Sequence, residues 1–253
     1  MKFNFLVSLN YRVNLAKSWL GYVEEYLLFR RMTGTQKGAR KAEFRDLYPR
    51  LTDRTSDHSF PRIYVYHASW AARVVAKIKP KKHIDISSTI WFSSLVSAFV
   101  PVEFYDYRPA DLHLSNLKSA DADLTNLKFK TNSVFSISCM HTIEHIGLGR
   151  YGDPIDPDGD IKAINELKRV TAVNGNLLIV LPVGEPKVMF NAHRIYSYKQ
   201  ILNYFNGFEL VEFALIKEHN GNLRIDANPN DIEKVTKLNG DCGCFWFRKI
   251  QRD

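Results

Sequence analysis

The sequence predicts an α/β domain in which a mostly parallel sheet is covered by helices on both faces, preceded by a helical N-terminal extension. Three observations carry this. From Tyr64 onward, short β-rich runs alternate with helical patterns, the signature of strands joined by crossover helices. The run "NLLIVLPV" at 176–183 is continuously apolar, as a strand buried on both faces is, and "VFSISCM" at 134–140 is a second, largely apolar run. Residues before about 60 follow a different, purely helical pattern, so the chain divides into an extension over 1–62 and a sheet domain over 63–253.

In the extension, "VNLAKSWLGYVEEYLLFRRM" sets Leu15, Trp19, Leu20, Val23, Leu27 and Leu28 at spacings that suit one helix face, with Lys17, Glu24, Glu25, Arg30 and Arg31 on the other. Such a helix packs on a domain or lies on an anionic membrane surface. In the domain, "YHASWAARVVAKIK" is helical, "KHIDIS" a strand, "TIWFSSLVSAF" helical and "VEFYDY" a strand. "PADLHLSNL" is a short helix or turn, and "VFSISCM" the next strand. "DIKAINELKRVTA" is a strongly amphipathic helix, with Asp158 or Asp160 as its cap and the Asn174-Gly175 pair as its stop. The strand "NLLIVLPV", the helix "YSYKQILNYFNG" ending at Gly207 and the strand "FELVEFALI" complete the series.

Composition narrows the function classes. A chain of 253 residues with 45% hydrophobic content buries one large core, or one core and a small appendage. A formal charge of +8 favours acidic partners such as anionic lipids or glycans. Nucleic acid is not expected, because neither a stacking platform nor a basic recognition helix is evident. Three cysteines argue against a disulfide scaffold, and Cys139 reads as a buried thiol. Cys242 and Cys244 resemble half of a metal site whose second half is missing at any suitable spacing, so a structural role is expected for them. The first residues break their apolar stretch too early for a secretory signal, and no run of about 18 apolar residues occurs. A cytoplasmic protein is expected, with the N-terminal helix as the candidate contact to the inner face of the membrane.

In a parallel sheet of this kind ligands bind beyond the carboxyl ends of the strands. The positions to inspect are 85–89, 106–108, 141–145 and 182–185. Asp106 follows Asp85 by about one β–α–β repeat, where an acid accepts hydrogen bonds from ribose hydroxyls. Asp123 precedes the next core strand, placed to receive an adenine amino group, with the Leu124 N–H meeting a ring nitrogen.

The ordered set "HIDIS", "VEFYDY", "DLTNLKFKTNSVFSISCMHTIEHI", "INELKRVTAVNGNLLIVLPVG" and "HRIYSYKQILNYFNGFELVEF" resembles the class I S-adenosylmethionine-dependent methyltransferases over about 65–216. "IEH" at 143–145 and "NELKRVTAVNGNLLI" at 165–179 stand where the small-molecule branch has "LEH" and "ELxRVLxPGGxLL". More narrowly, "HIDISS", "HTIEHIGLGRYGDPIDPDGD" and "FNAHRIY" resemble an uncharacterised domain of unknown function met among bacterial polysaccharide-biosynthesis genes. The resemblance implies a Rossmann-like methyltransferase sheet, S-adenosylmethionine as cofactor, and Asp85, Ser87, Ser88, Thr89, Asp106, Asp123 and Leu124 as the residues that hold it.

One departure stands out. The family's first turn is D-x-G-x-G-x-G, where backbone approaches the cofactor's carboxylate closely; this chain has Ser87, Thr89 and Trp91 at those glycines. The hydroxyls of Ser87, Ser88 and Thr89 are expected to cap the following helix and to donate to the cofactor, while Trp91 adds bulk that could fill the adenosine cavity. His141, His145 and His193 are the candidate bases for an acceptor hydroxyl. Glu144, Arg150 and Arg194 are the candidate acceptor-binding groups, a basic residue suiting a phosphate or uronate. Glu144 and His145 can equally serve to tie the fourth strand to its neighbours.

Two rival motifs are weaker. "HTIEH" matches the inverted zinc-peptidase signature, but at a strand end instead of inside a long helix. "GDPIDPDGD" at 152–160 lacks the order of a calcium loop and reads as a proline-pinned rim. A divalent metal is not expected. The leading expectation is methyl transfer to a sugar hydroxyl of a surface polysaccharide or its lipid-linked precursor. The alternatives are a catalytically inactive, methyltransferase-like scaffold module in polysaccharide assembly, and a nucleotide-sugar-using transferase.

Overall fold

The computed structural model describes residues 2–35, 38, 40–56, 58, 60–217, 223–225 and 241–250. It forms two compact units, Met1–Phe60 and Pro61–Asp253. In the first, α1 (Lys2–Thr35) is one long helix, followed by a 3-10 turn at Phe44–Asp46. Over its whole length α1 has almost no net amphipathic character, because Tyr11, Val13, Phe29 and Met32 carry apolar surface outside the expected stripe. An interfacial helix needs separated faces. No helix among the described residues is long and apolar enough to cross a membrane.

The second unit is built on an eight-stranded sheet of order β3-β2-β1-β4-β5-β10-β8-β9. Its strands are β1 (His83–Ile86), β2 (Val102–Asp106), β3 (Leu117–Asp121), β4 (Val134–Met140), β5 (Thr171–Val183), β8 (Phe208–Ile216), β9 (Leu223–Ile225) and β10 (Asp241–Lys249). The five from β3 to β5 run parallel. β10 is inserted antiparallel between β5 and β8. A separate two-stranded ribbon, β6 (Lys187–Met189) and β7 (His193–Ile195), follows β5.

The apolar runs are split between two helical layers by the period-two alternation of a strand. Leu177, Ile179 and Leu181 of β5 join Phe245 and Phe247 of β10 under α4 (Gly159–Val170) and α5 (Tyr198–Tyr204). Leu178 and Val180 join Cys242, Cys244 and Trp246 under α2 (Arg62–Ile78) and α3 (Trp91–Val96). Helix α2 buries His67, Ala68, Trp70, Ala71, Val74 and Val75, an i, i+3, i+4, i+7 stripe. Helix α5 starts at a capping box: the Ser197 hydroxyl accepts from the Gln200 N–H at 3.1 Å, and the Gln200 side chain accepts from the Ser197 N–H at 2.8 Å.

Three expectations need correction. α4 ends at Val170, and the Asn174-Gly175 pair lies inside β5, where the register against β4 shifts between Val134 and Ser136. A Cβ at Gly175 would lie 2.7 Å from the Ala172 carbonyl, so glycine permits this bulge instead of stopping a helix. Asp158 stands at the start of α4 without a side-chain cap bond. β3 and β10 are strands that the helix-and-strand alternation did not mark.

Between β1 and β4 lies a polar knot. Asp85 is fully buried and accepts from the hydroxyls of Ser87, of Ser93 at 2.5 Å and of Ser138 at 2.5 Å. Since Ser138 donates to Asp85, it accepts from His83 Nε2 at 2.9 Å, and His83 Nδ1 accepts in turn from Ser136 at 2.8 Å. Burial pushes His83 down to about 3, so the ring is neutral. Burial pushes the Asp85 carboxyl up to about 6, against the three hydroxyls that lower it. A carboxyl raised on folding stabilises the protein most below its unfolded value, and that contribution declines as pH rises to the folded value. The whole loss, about 3 kcal/mol, is spread from about pH 3 to about pH 7. Asp85→Asn removes this titration. Urea unfolding at a series of pH values is expected to show the variant gaining about 2 kcal/mol on the parent between pH 4 and 7; a pH-independent difference would contradict the assignment.

Candidate functional site

At the carboxyl ends of the parallel strands the surface opens into a cavity of about 290 Å³, near the lower end of the range for small-molecule sites, roughly 300 Å³. Its walls come from four of the five parallel strand ends: Ser87 and Ser88 after β1, Asp106 to Arg108 at the end of β2, Ala122 to Thr125 after β3, and His141, Thr142 and His145 after β4; residues 182–185 at the end of β5 lie off it. The rim loop contributes Tyr151, Asp153, Pro154 and Asp156.

Asp106 ends β2 and accepts from the Arg108 N–H at 2.7 Å, a turn that holds its carboxylate at the strand end. Asp123 is exposed and accepts from the N–H and hydroxyl of Thr125, at 2.8 and 2.7 Å. The neighbouring Leu124 is buried. The loop bearing both is pinned from α4: Glu166 accepts from the Leu127 N–H at 2.8 Å, and Arg169 donates to the carbonyls of Leu127 at 2.9 Å and Phe129 at 2.8 Å. The Glu166–Arg169 pair at 2.7 Å holds the Glu166 carboxyl below its ordinary value. This is the physical role of the "NELKRV" stretch.

The glycine-free turn works differently from expectation. Asp85 lies beneath the cavity, not on its wall. The Ser87 hydroxyl is spent on Asp85 and accepts from the Met140 N–H at 3.1 Å, and the Ser88 N–H donates to the Met140 carbonyl at 3.2 Å. Thr89 is half-buried off the cavity wall, and α3 starts at Ile90 without a side-chain cap. Trp91 does not fill the cavity: it is 51% exposed and packs edge-on against Tyr64, with ring centroids 6.0 Å apart. The added bulk points away from the strand ends.

Three histidines take three separate roles. His145 lines the cavity, and its Nδ1 donates to the Ala192 carbonyl at 2.7 Å, which leaves Nε2 as the lone-pair nitrogen of the neutral ring. His193 lies off the cavity wall, its ring 6.4 Å from that of His145, and burial lowers its pKa. His141 lies on the wall but is held from behind, Nδ1 against Glu144 at 2.9 Å and Nε2 against the Cys242 sulfur at 3.5 Å. Burial lowers His141, and Cys242 and Glu144 together outweigh it and raise the ring to about 10.

The acceptor-binding candidates also divide. Glu144 is buried, faces His141 and lies off the cavity wall. Arg194 is buried as well: it donates to the carbonyls of Ile146 at 2.6 Å and Pro157 at 3.2 Å and faces Asp160 at 3.6 Å, clamping both ends of the rim loop. Its charge is consumed by those partners and is not offered to a ligand. Arg150 is exposed, donates to the Ala192 carbonyl at 3.0 Å and lies 5.1 Å over the Tyr151 ring. Arg108 lies over the same ring at 4.7 Å. Tyr151 and Arg108 were not among the sequence candidates, although Arg108 fell within an inspected strand end.

The rim acids serve the loop itself. Asp153 accepts from the N–H groups of Gly147 at 2.8 Å, Gly149 at 3.4 Å and Tyr151 at 3.2 Å. Asp156 pairs with Lys162 at 2.6 Å, and Asp160 accepts from the Tyr196 hydroxyl at 2.9 Å. Among the described residues the one group of side chains that could hold a metal ion is His67, His141 and Cys242; it contains neither the rim acids nor His145, so the two histidines of "HTIEH" do not share a ligand site.

The fold is that of Rossmann-like methyltransferases. The YcgJ protein from Bacillus subtilis superposes with a TM-score of 0.52 at 13% identity, over 74% of this chain and 100% of that one. The N-methyltransferase NodS from Bradyrhizobium japonicum WM9, solved with S-adenosyl-L-homocysteine, superposes with a TM-score of 0.52 at 12% identity, over 76% of this chain and 89% of that one. At such identities the likeness is one of fold. No curated protein matches the sequence. The model of the family described as "Caenorhabditis protein of unknown function, DUF268" matches residues 103–241, from β2 through the start of β10. That match brings no link to bacterial polysaccharide genes with it. It spans more than half of the sequence and includes the ends of β2 and β4 and the whole rim loop, and on this evidence the chain belongs to the DUF268 family.

Proposed function

We propose that the chain binds S-adenosylmethionine in the strand-end cavity and transfers its methyl group to a hydroxyl acceptor. The observation that carries this reading is the placement of Asp106, Asp123 and Leu124 on one wall of a cavity at the ends of adjacent parallel strands. An acid at the end of the second strand suits a ribose, and the pinned loop beside it suits an adenine edge. The nucleoside half of the cofactor therefore fits the residues present. The amino-acid half does not find the usual donors, since the Ser87 hydroxyl and the Ser88 N–H are both turned to protein partners. When bound, the cofactor supplies an electrophilic methyl group.

The protein's own work is to hold the acceptor in line and to take its proton. His145 is the base we assign, because its Nδ1 is fixed on a carbonyl and its other nitrogen is unprotonated in the neutral ring. Arg108 and Arg150, spread over Tyr151, suit an anionic acceptor. The narrower reading, a sugar hydroxyl of a polysaccharide or its lipid-linked precursor, rests on the sequence resemblance alone. A second reading has a specific observation in its favour: the committed donors of the first turn suit a methyltransferase-like module that has given up the cofactor.

Calorimetry with S-adenosylmethionine and S-adenosylhomocysteine separates the two. Micromolar to sub-millimolar binding, weakened at least tenfold by Asp106→Ala with unchanged thermal stability of the free protein, is the expected outcome. A folded protein with no binding at millimolar ligand favours the second reading. Once an acceptor is found, His145→Ala is expected to lower kcat by about 10²- to 10⁴-fold while leaving cofactor affinity within about twofold. Equal losses in turnover and cofactor binding would assign His145 to binding instead.

A further inference from the structure

Cys242 has a second half after all, supplied by two residues distant in sequence. His67 comes from the buried face of α2, His141 from the end of β4, and Cys242 from the start of β10; one ligand atom of each lies within 4.8 Å of the others. The ligand set is held on rigid elements. β10 is paired on both sides, with Cys242 opposite Pro182 of β5 and Ile216 of β8. The His141 N–H is fixed on the Val180 carbonyl at 2.8 Å, and its backbone turns through φ 51 to bring the ring back over the sheet end.

Three further features point to a ligand. His67 is 1% exposed, and its Nδ1 is buried without a hydrogen-bond partner. His141 uses Nδ1 on Glu144, which leaves Nε2 to face Cys242. A carboxylate behind a histidine is the usual second layer of a metal site: it fixes the tautomer and raises the basicity of the ligating nitrogen. Glu144 is 1% exposed and has no other described partner, one of its oxygens being buried and unpaired. Finally, the spacing fits. With metal–sulfur and metal–nitrogen bonds of about 2.3 and 2.0–2.1 Å, the S···N edge of a tetrahedron is about 3.5 Å, and the separation of His141 Nε2 from Cys242 Sγ is 3.5 Å.

We propose that His67, His141 and Cys242 bind a thiophilic divalent cation, zinc(II) by preference, through two imidazole nitrogens and one thiolate. The His₂Cys donor set selects zinc or copper over magnesium or calcium. On binding, the thiol proton of Cys242 and any ring proton on His141 Nε2 leave to solvent, and the metal takes the freed lone pairs; nothing is oxidised or reduced. Three protein ligands leave a tetrahedral ion one further position. The site is separate from the wall that bears Asp106 and Asp123, and it stands whether or not the cavity binds S-adenosylmethionine. His141 is the residue common to both, so an ion here would fix one side chain of the cavity wall.

The test uses the full, untagged chain. Metal analysis after purification is expected to give about one zinc per chain. After removal of metal by a chelator, titration with cobalt(II) is expected to produce a thiolate-to-cobalt charge-transfer band with tetrahedral d–d bands, saturating at one equivalent and displaced by zinc. Cys242→Ser abolishes the charge-transfer band, His67→Gln weakens cobalt binding at least tenfold, and Cys244→Ser retains the band. Circular dichroism checks that each variant is folded; should Cys242→Ser fail to fold, the His67 variant decides. A folded parent that shows no thiolate–cobalt band, or a band that survives in folded Cys242→Ser, overturns the proposal.

Discussion

The buried carboxylate of Asp85 is the constraint on which the upper half of the sheet depends. It ties four elements at one point: β1 through its own backbone, the following turn through Ser87, α3 through Ser93 and β4 through Ser138. An unpaired ionised group in that position would be very costly. Three hydroxyl donors satisfy it, and His83 extends the chain of bonds to Ser136. The knot also explains how a strand-to-helix turn exists here without glycine. Its backbone is drawn down onto Met140, with the Ser88 N–H on the Met140 carbonyl and the Met140 N–H on Ser87. Serine is suited to that inward geometry, and the conformational freedom of glycine has no use in it. A consequence reaches the site: β1 and β4 are locked at their carboxyl ends, which is where the cavity walls begin.

Much of this was legible in the sequence because burial writes itself as pattern. The apolar runs marked β4 and β5, and the helical patterns of "YHASWAARVVAKIK" and "YSYKQILNYFNG" marked α2 and α5. What failed was where pattern was weak or ambiguous. β3 is "LKSAD", an edge strand with only Leu117 buried, so it carries no strand signal. β10 begins "DCGC", which carries no strand signal, and only the run "FWF" behind it does; there Phe245 packs against Tyr198 and Phe213, and Phe247 against Phe205. The Asn-Gly pair is a turn signal in most contexts; inside β5 it forms a bulge, because the tertiary pairing with β4 continues on both sides.

The site was legible by position and not by direction. Strand-end residues converge in any parallel sheet, so Asp106, Asp123, Leu124, His141 and His145 could be placed together from topology alone. Whether a carboxylate looks outward or is consumed inside depends on partners that sequence spacing does not name. Asp85 meets three serines from three elements, and Arg194 meets two loop carbonyls and Asp160. The same limit hid His67, whose place on α2 reads as one more buried position in an amphipathic stripe. Only the antiparallel insertion of β10 beside β5, with α2 across it, brings that imidazole to Cys242 and His141.

The rim loop shows why the cavity is already formed in the free chain. Gly147 at φ +79 could not be any other residue, since a Cβ there would meet the Asp156 carbonyl at 2.0 Å. Asp153 gathers three alternate N–H donors, and Arg194 clamps the carbonyls of Ile146 and Pro157 on either side. The loop's conformational entropy is thus lost on folding and not on ligand binding. Beside its acids the rim carries an aromatic ring, Tyr151, with the guanidinium groups of Arg108 and Arg150 over it at 4.7 and 5.1 Å. Planar cations on a ring leave their outer edges free for bidentate contact with a carboxylate or phosphate. On the proposed function, recognition of the acceptor falls to this cluster, and the strand ends hold the cofactor and the base.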